Sequence, residues 1–346
     1  MTGKTVIQQA LEKVIAGRHL NRQEARDVMN TMMEGAATPA QIGALLVALR
    51  MKGETMEEIT GFAESMRDKA NRVVAGRDNL LDIVGTGGDR AGTFNISTAS
   101  AIIAAAGGIR VAKHGNRAAS GKCGSADVLE ALGVNIHLDS RQTELCLEKL
   151  GICFMFAQLY HPSMKHAAGP RRELGVRTVF NLLGPLTNPA GADLQLLGIF
   201  DPSLTELIAQ VLHALGLKRA MVVSSLDGMD EISISAPTKV AEIKNGDIVT
   251  YEITPDELGL KTATVHDVAG GDPDTNAEII RFIFRGEKGA YRDIVLANAG
   301  AAFYLAGHCS TLQEGVKLAA DMIDTGRAAA KLRQLIEFTG ELSHVS

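Results

Sequence analysis

Two polar loops in the first half of the chain carry residue types that suit a polyphosphate ligand. Residues 85–89 read Gly-Thr-Gly-Gly-Asp after an apolar run at 80–84, and residues 95–98 read Asn-Ile-Ser-Thr. Glycines allow positive φ and let the backbone approach a ligand closely. A helix that begins near Ile96 would direct N–H groups and the positive end of its dipole at the same anion. The first loop therefore predicts an anion site.

The second loop supplies a cation and hydroxyl groups. Residues 113–117 read Lys-His-Gly-Asn-Arg, and residues 120–125 read Ser-Gly-Lys-Cys-Gly-Ser. Lys113 adds a positive charge, and hydroxyl groups come from Ser97, Thr98 and Ser125. Asp89 is available as a metal partner or as an acceptor for a ligand hydroxyl.

Two common phosphate motifs are not met. Residues 85–90 lack a glycine at the sixth position, so the dinucleotide-binding fingerprint fails. Five residues, not four, separate Gly115 from Gly121, and Cys123 stands where a P-loop has serine or threonine. The sequence thus argues against both an NAD site and a P-loop NTPase.

Charged residues later in the chain offer two further sites. Asp230 and Glu231 follow a predicted strand at 220–224. Mg²⁺ prefers oxygen ligands and takes one or two carboxylates together with substrate phosphates, so this pair is a candidate metal site; the alternative is a solvated turn. Arg171 and Arg172 are of a residue type that binds a carboxylate through two parallel hydrogen bonds, and the alternative is that either is a surface charge. His161 and His166 do not share a helix face, which disfavours a metal pair.

The elements that must position these residues form two patterns. Residues 1–70 have the apolar spacing and capping residues of short helices, with starts at Asn21, Thr38 and Thr55. The pattern changes at 71–79, where we expect a hinge. Strands and helices then alternate, with strands expected at 134–138 and 154–156, a hairpin at 240–253 and helices over 276–336. This order favours an α/β domain with a sheet covered by helices.

Composition excludes several classes. The chain has 346 residues and a net charge of −5, so no overall positive field attracts nucleic acid. No apolar run approaches the roughly 20 residues that span a bilayer, and the first residues lack a signal-peptide core. The four cysteines are dispersed without a CxxC pair. We therefore expect reduced thiols, no zinc site and a cytoplasmic location.

Taken together, the motifs at 85–89, 95–98 and 113–117 resemble, in order and spacing, the phosphoribosyl pyrophosphate loops of the anthranilate phosphoribosyltransferase family. The segments 161–178 and 181–189 also resemble that family. The resemblance implies transfer of the phosphoribosyl group to the amine of anthranilate with release of pyrophosphate, the second step of tryptophan biosynthesis from chorismate. It also implies Mg²⁺ as cofactor and a small helical N-terminal domain beside a larger α/β domain, with a central sheet flanked by helices.

The resemblance assigns site residues as well. It implies an Mg²⁺ site at Ser97, Asp230 and Glu231, an anthranilate site at Gly85, Asn116 and Arg171, and leaving-group stabilisation by Lys113. No general base is assigned; His114 is the nearest candidate and is as well explained by a structural role. The residues expected to bind phosphoribosyl pyrophosphate are Gly85, Gly88, Asp89, Thr93, Asn95, Ile96, Ser97, Thr98, Lys113, His114, Gly115, Asn116, Arg117, Ala118, Ala119, Ser120, Gly121 and Ser125. Cys123 stands where relatives often carry small or hydroxyl residues.

For domains and assembly, the expectation is a helical domain of residues 1–70 plus about 163–192 and an α/β domain of 71–162 plus 193–346. The family implies a homodimer through the helical domain, and we expect neither nucleic-acid nor membrane partners. Two alternatives are a pyrimidine nucleoside phosphorylase, which shares the architecture, and a non-enzymatic relative that binds nucleic acid. The 113–117 motif and the Asp230–Glu231 pair disfavour the first, and the negative charge with complete loops disfavours the second.

Overall fold

A computed structural model of the chain describes residues 4–74, 76, 79–88, 91–118 and 121–342. Four helices form the N-terminal part: α1 (Val6–Ile15), α2 (Arg22–Met33), α3 (Pro39–Lys52) and α4 (Met56–Asp68). The predicted caps are confirmed, since the side chains of Asn21, Thr38 and Thr55 each accept a hydrogen bond from the backbone three residues later.

The rest of the chain supplies seven strands and eleven further helices in the described residues. They are β1 (Leu80–Gly85), α5 (Ile96–Ala106), β2 (Arg110–Gly115), α6 (Ser125–Leu132), α7 (Ser140–Leu150), β3 (Ile152–Phe156), α8 (Ala157–Tyr160), α9 (Lys165–Leu174), α10 (Phe180–Leu183), β4 (Leu194–Gly198), α11 (Thr205–Ala214), β5 (Arg219–Ser225), β6 (Thr238–Lys244), β7 (Asp247–Ile253), α12 (Pro273–Phe284), α13 (Ala290–Leu305), α14 (Leu312–Asp324) and α15 (Arg327–Leu342).

The strands form one mixed sheet in the order β3-β2-β1-β4-β5-β6-β7. The first five are parallel, while β6 and β7 extend the sheet as an antiparallel hairpin that turns at Asn245 and Gly246. The predicted hairpin and the strands at 154–156 and 220–224 are confirmed. Because β1 lies at the centre, loops that follow β1, β2 and β4 meet at one edge of the sheet.

The strand predicted at 134–138 is wrong. Val134, Ile136 and Leu138 are buried, as the alternating pattern implies, but the segment joins no sheet in the described residues. Its backbone bonds instead to α15: the Asn135 amide donates to Thr339 Oγ1 at 3.1 Å. Alternating burial reveals which side chains face the core, but not which element satisfies the backbone.

The protein has two hydrophobic cores, one on each face of the sheet. Alternate residues of β5 point to opposite faces, so Met221 and Val223 join one core, whereas Ala220 and Val222 join the other. The second core contains α1–α4, α11 and residues 167–186. Residues 167–186 thus pack with the N-terminal helices, and the expected domain division stays a prediction.

Backbone hydrogen bonds join the stretch at 71–73 to residues 160 and 189. The Asn71 amide donates to the Tyr160 carbonyl at 2.9 Å, and the Val73 amide donates to the Pro189 carbonyl at 3.2 Å. The hinge expected at 71–79 stays a prediction, and its residues 75, 77 and 78 lie outside the described ranges.

Over the ranges described, none of the helices combines the length and the apolar character needed to cross a bilayer.

Candidate active site

The glycine loop lies at the carboxyl end of β1, where the predicted metal loop also arrives. Gly87 and Gly88 both have positive φ, +66° and +72°. The Gly87 amide donates to Asp230 Oδ2 at 2.6 Å. This contact joins two segments that lie far apart in sequence, so the structure brings the predicted anion loop and metal loop together.

Two glycines make room for the metal loop. A Cβ atom at Gly198 would lie 1.6 Å from the Asp230 carbonyl oxygen, and one at Gly85 would lie 2.4 Å from Asp230 Oδ2. Separations below 3.0 Å essentially never occur for real Cβ atoms. Both strand ends therefore require glycine, because the Asp230 backbone and carboxylate pack directly against them.

The start of α5 faces the same region. Asn95 precedes the helix without capping it; its Oδ1 instead accepts a hydrogen bond from Asn276 Nδ2 at 3.0 Å. Ile96 and Thr98 are buried, while Ser97 is half-buried. Because no side chain among the described residues caps this first turn, the helix start keeps the positive character expected of an anion site. Thr93 lies just before it, in an isolated bridge with Ala269.

Lys113 is the buried cation of the site. Its Nζ donates to the Ile83 carbonyl at 2.6 Å and to Ser97 Oγ at 3.2 Å. Burial lowers the pKa of the Lys113 ammonium, and the negative charges of Asp82 and Glu231 oppose that shift. The lysine thus lies between the helix start and the predicted metal loop.

Asp82 supplies a buried negative charge beside Lys113. Its side chain is fully buried in β1 and accepts hydrogen bonds from Asn188 Nδ2 at 2.8 Å and from the His114 amide at 3.3 Å. Burial raises the pKa of Asp82 to about 6, opposed by the charge of Lys113 and by the Asn188 hydrogen bond. The Asp82 and Lys113 charges therefore each favour the ionised form of the other, against the effect of burial.

Two neutral histidines lie together beside the lysine. The rings of His114 and His161 have centroids 5.1 Å apart, and both Nε2 atoms are buried without a hydrogen-bond partner in the part of the chain that the structure describes. Burial, together with His161, lowers the pKa of His114 well below 6.5. Burial also lowers the pKa of His161 to about 4.

The second loop closes onto the start of α6. Ser125 Oγ donates to the Asn116 carbonyl at 3.3 Å, and the Ala118 amide donates to Asp127 Oδ2 at 3.0 Å. Arg117 Nη1 contacts Asp127 at 2.8 Å and Glu130 at 2.5 Å. The Arg117 guanidinium is thus already neutralised by two carboxylates. Gly115 ends β2 and Gly121 lies in the loop, while Asp89, Ala119 and Ser120 fall outside the described residues.

Arg171 belongs to α9, in the helical part of the molecule. Its guanidinium lies 4.8 Å from the centre of the Phe180 ring, and burial lowers its pKa. The segment after α9 reaches the glycine loop, because Arg177 Nη2 donates a hydrogen bond to the Gly88 carbonyl. The segment directly after α9, the helix that carries Arg171, is therefore in contact with the predicted anion loop.

The oxygen ligands predicted for Mg²⁺ are compatible with that ion. Asp230 is 8% exposed and Glu231 is half-buried. Within the ranges described, no three His, Cys, Asp or Glu side chains converge as a metal cluster. Two carboxylates and the Ser97 hydroxyl suit an ion that completes its shell with water and substrate phosphates.

Sequence reasoning missed four residues of this region: Asp82, Asn188, Gly198 and Arg177. Of these, only Asp82 could have been recognised from the sequence, since a carboxylate inside an apolar strand must be paired when it is buried. Asn188, Gly198 and Arg177 act through contacts between segments that are distant in sequence.

Comparison with known proteins defines the class. The family described as "Glycosyl transferase family, a/b domain" matches residues 77–329, and "Glycosyl transferase family, helical bundle domain" matches residues 8–70. An anthranilate phosphoribosyltransferase of Acetivibrio thermocellus is 54% identical over 334 residues, which cover 96% of this chain and 97% of the relative. One from Brevibacillus brevis is 52% identical, covering 97% of this chain and 99% of the relative.

Solved structures give the same result. The crystal structure of the Thermus thermophilus enzyme of that name has a TM-score of 0.91 and 46% identity, covering 95% of this chain and 99% of the other. The Saccharomyces cerevisiae enzyme in complex with phosphoribosyl pyrophosphate and Mg has a TM-score of 0.90 at 25% identity, covering 98% and 99%.

The fold and the matches to both family descriptions define a glycosyl transferase built from a helical bundle and an α/β domain. Within that class, the chain belongs to the anthranilate phosphoribosyltransferase family. The predicted fold class, family and enzyme class are confirmed, and the nucleoside phosphorylase alternative is not supported.

Proposed function

We propose that this enzyme transfers the 5-phosphoribosyl group of phosphoribosyl pyrophosphate to the amine of anthranilate, giving N-(5-phosphoribosyl)anthranilate and pyrophosphate, within tryptophan biosynthesis. The observation that carries the assignment to this site is the 2.6 Å hydrogen bond from the Gly87 amide to Asp230. This contact supports the proposal because it joins the glycine loop to Asp230, and a loop that binds phosphate can lie beside a carboxylate only if a cation separates the two negative charges.

Breaking the bond between ribose C1 and the pyrophosphate oxygen leaves negative charge on pyrophosphate. Lys113, the Gly88 amide and the positive end of the α5 dipole stabilise that charge, whereas the Gly87 amide is engaged by Asp230. The negative charge of Asp82 opposes the effect of burial on Lys113 and so favours its charged form. Ser97, Asp230 and Glu231 would hold Mg²⁺, which when bound neutralises charge on the leaving group.

Anthranilate needs correct placement more than activation, because its aromatic amine is a neutral nucleophile at pH 7. Arg171 binds the carboxylate, and Asn116 and Gly85 orient the ring and amine. We assign no general base. Arg117 contributes through its backbone, since its side chain is paired with Asp127 and Glu130.

The enzyme acts as a homodimer joined through the helical domain. Helix α3 supports this proposal, because its apolar residues continue around the helix instead of forming one stripe. Leu45 and Leu49 face the core, whereas Met51 is 83% exposed. A helix with apolar residues on all sides is expected to be covered on all sides.

Anthranilate fluorescence tests the activity directly. Purified protein with phosphoribosyl pyrophosphate and Mg²⁺ should remove the anthranilate signal, and omission of Mg²⁺ or of phosphoribosyl pyrophosphate should prevent the loss. Thymidine with inorganic phosphate serves as the competing substrate pair. Phosphorolysis of thymidine without consumption of anthranilate would overturn the proposed function.

A further inference from the structure

The glycine loop is held from two sides. On one side the Gly87 amide donates to Asp230 of the metal loop, and on the other Arg177 Nη2 donates to the Gly88 carbonyl. The first contact belongs to the site already described. The second comes from the segment between α9 and α10, which packs with the helical core.

The loop needs such restraint because two successive glycines with positive φ have the largest conformational freedom of any residue pair. An unrestrained loop would have to be ordered by each incoming ligand, which lowers affinity. A hydrogen bond to the Gly88 carbonyl fixes the orientation of that peptide before the ligand arrives.

Arg177 is itself held in place. Its guanidinium carbon lies 4.0 Å from the centre of the Phe200 ring, just beyond β4, so the planar group stacks on an aromatic face. Arg177 also lines a cavity of about 130 Å³ between α3, α4 and α11, with Arg50, Glu54 and Phe200 among the other lining residues. The side chain therefore bridges the helical core and the glycine loop.

We propose that Arg177 is a positioning residue for phosphoribosyl pyrophosphate: it holds the Gly88 peptide in the orientation that receives the pyrophosphate, without touching the ligand. This inference rests on the proposed function, because it requires that loop 85–89 binds phosphoribosyl pyrophosphate. It predicts a loss of affinity for that substrate alone, with little change in kcat or in the KM for anthranilate.

The test compares Arg177→Met with Arg177→Lys. Methionine keeps the apolar stem against Phe200 but cannot donate, so we expect the Kd for phosphoribosyl pyrophosphate with Mg²⁺, measured by titration calorimetry, to rise about tenfold. Lysine restores one donor without the planar stack, and we expect it to recover part of the loss. Arg172→Met is the matched control, since Arg172 is exposed on α9 and its loss removes the same charge.

Steady-state kinetics supply the second measurement. Under the proposal, Arg177→Met raises the KM for phosphoribosyl pyrophosphate while kcat and the KM for anthranilate stay within about twofold. Should Arg177→Met fail to fold, Arg177→Lys and Phe200→Leu carry the test, with smaller rises of about two- to threefold expected for each.

An unchanged Kd in the Arg177 variants, or an equal rise in Arg172→Met, would overturn the positioning role. A parallel loss of both substrate affinities would also overturn it, because that result indicates a general structural role. If the unmodified protein bound no phosphoribosyl pyrophosphate, the proposed function itself would fall, and the Arg177 role with it.

Discussion

Gly198→Ala tests whether the metal loop is positioned by the sheet, without touching any expected ligand contact. Gly198 ends β4, and its carbonyl accepts a hydrogen bond from the Thr86 amide at 2.9 Å. The new Cβ atom would lie 1.6 Å from the Asp230 carbonyl oxygen. An ordinary contact lies at 3.4 Å or more, so one of the two segments must move by about 1.8 Å (3.4 minus 1.6).

That displacement is large compared with what the site tolerates. Functional groups must be held within about 0.5 Å of productive geometry, and the Gly87–Asp230 hydrogen bond is only 2.6 Å long. We therefore expect kcat/KM for phosphoribosyl pyrophosphate to fall by at least tenfold, with a stability loss of about 1–3 kcal/mol from overpacking. Both are measurable, the first by anthranilate fluorescence and the second by denaturant unfolding.

Gly340→Ala is the matched control. Gly340 lies in α15, where an added Cβ would meet nothing within 4 Å, so alanine should be neutral or slightly stabilising there. If Gly198→Ala retained the kcat/KM and Mg²⁺ dependence of the unmodified enzyme, Asp230 would not need its present position, and the metal site would have to lie elsewhere.

Three further predictions concern the same site, and a fourth concerns the assembly. Arg171→Ala should raise the KM for anthranilate, by an amount equivalent to about 2–4 kcal/mol, and leave that for phosphoribosyl pyrophosphate nearly unchanged; an unaltered anthranilate KM would remove Arg171 from the site. Asp230→Asn combined with Glu231→Gln should preserve the fold, checked by circular dichroism, and reduce Mg²⁺-dependent turnover by orders of magnitude, while turnover at the original rate would make Asp89 the next candidate. Sedimentation at micromolar concentration should give about twice the 36.7 kDa chain mass. A monomeric mass would contradict the dimer, and the apolar residues of 1–70 would then serve only as core of the single chain. Burial lowers the pKa of His161 from 6.5 to about 4 in the folded protein, so between these pH values the unfolded chain binds more protons and the free energy of unfolding falls as the pH drops. His161→Gln should remove up to about 3 kcal/mol of this loss of stability in acid. An unchanged pH dependence of unfolding would refute the assignment.

The sequence was most informative where the physics is local. Helix caps at Asn21, Thr38 and Thr55 act within three residues, so they could be recognised directly and are confirmed. The predicted helix start near Ile96 is also confirmed, although the Asn95 side chain does not cap it. The family resemblance had the same origin, because the phosphate loops are short and contiguous motifs.

Segment 134–138 was wrongly predicted as a strand because its hydrogen-bond partner is distant in sequence. Its alternation correctly indicated buried side chains, but a strand is defined by a hydrogen-bonded neighbour. Here the backbone of Asn135 bonds to Thr339 at the far end of the chain. No local pattern contains that partner.

The same limit separates the predicted site residues from those that position them. Lys113 could be named from its motif, whereas Asn188, which binds the adjacent Asp82, could not. Gly198 and Arg177 enter the proposed site only because folding places them against Asp230 and Gly88. The sequence by itself determined the chemistry the loops can perform. The tertiary structure decided which distant side chains hold those loops, since burial and hydrogen bonding between remote segments depend on the whole fold.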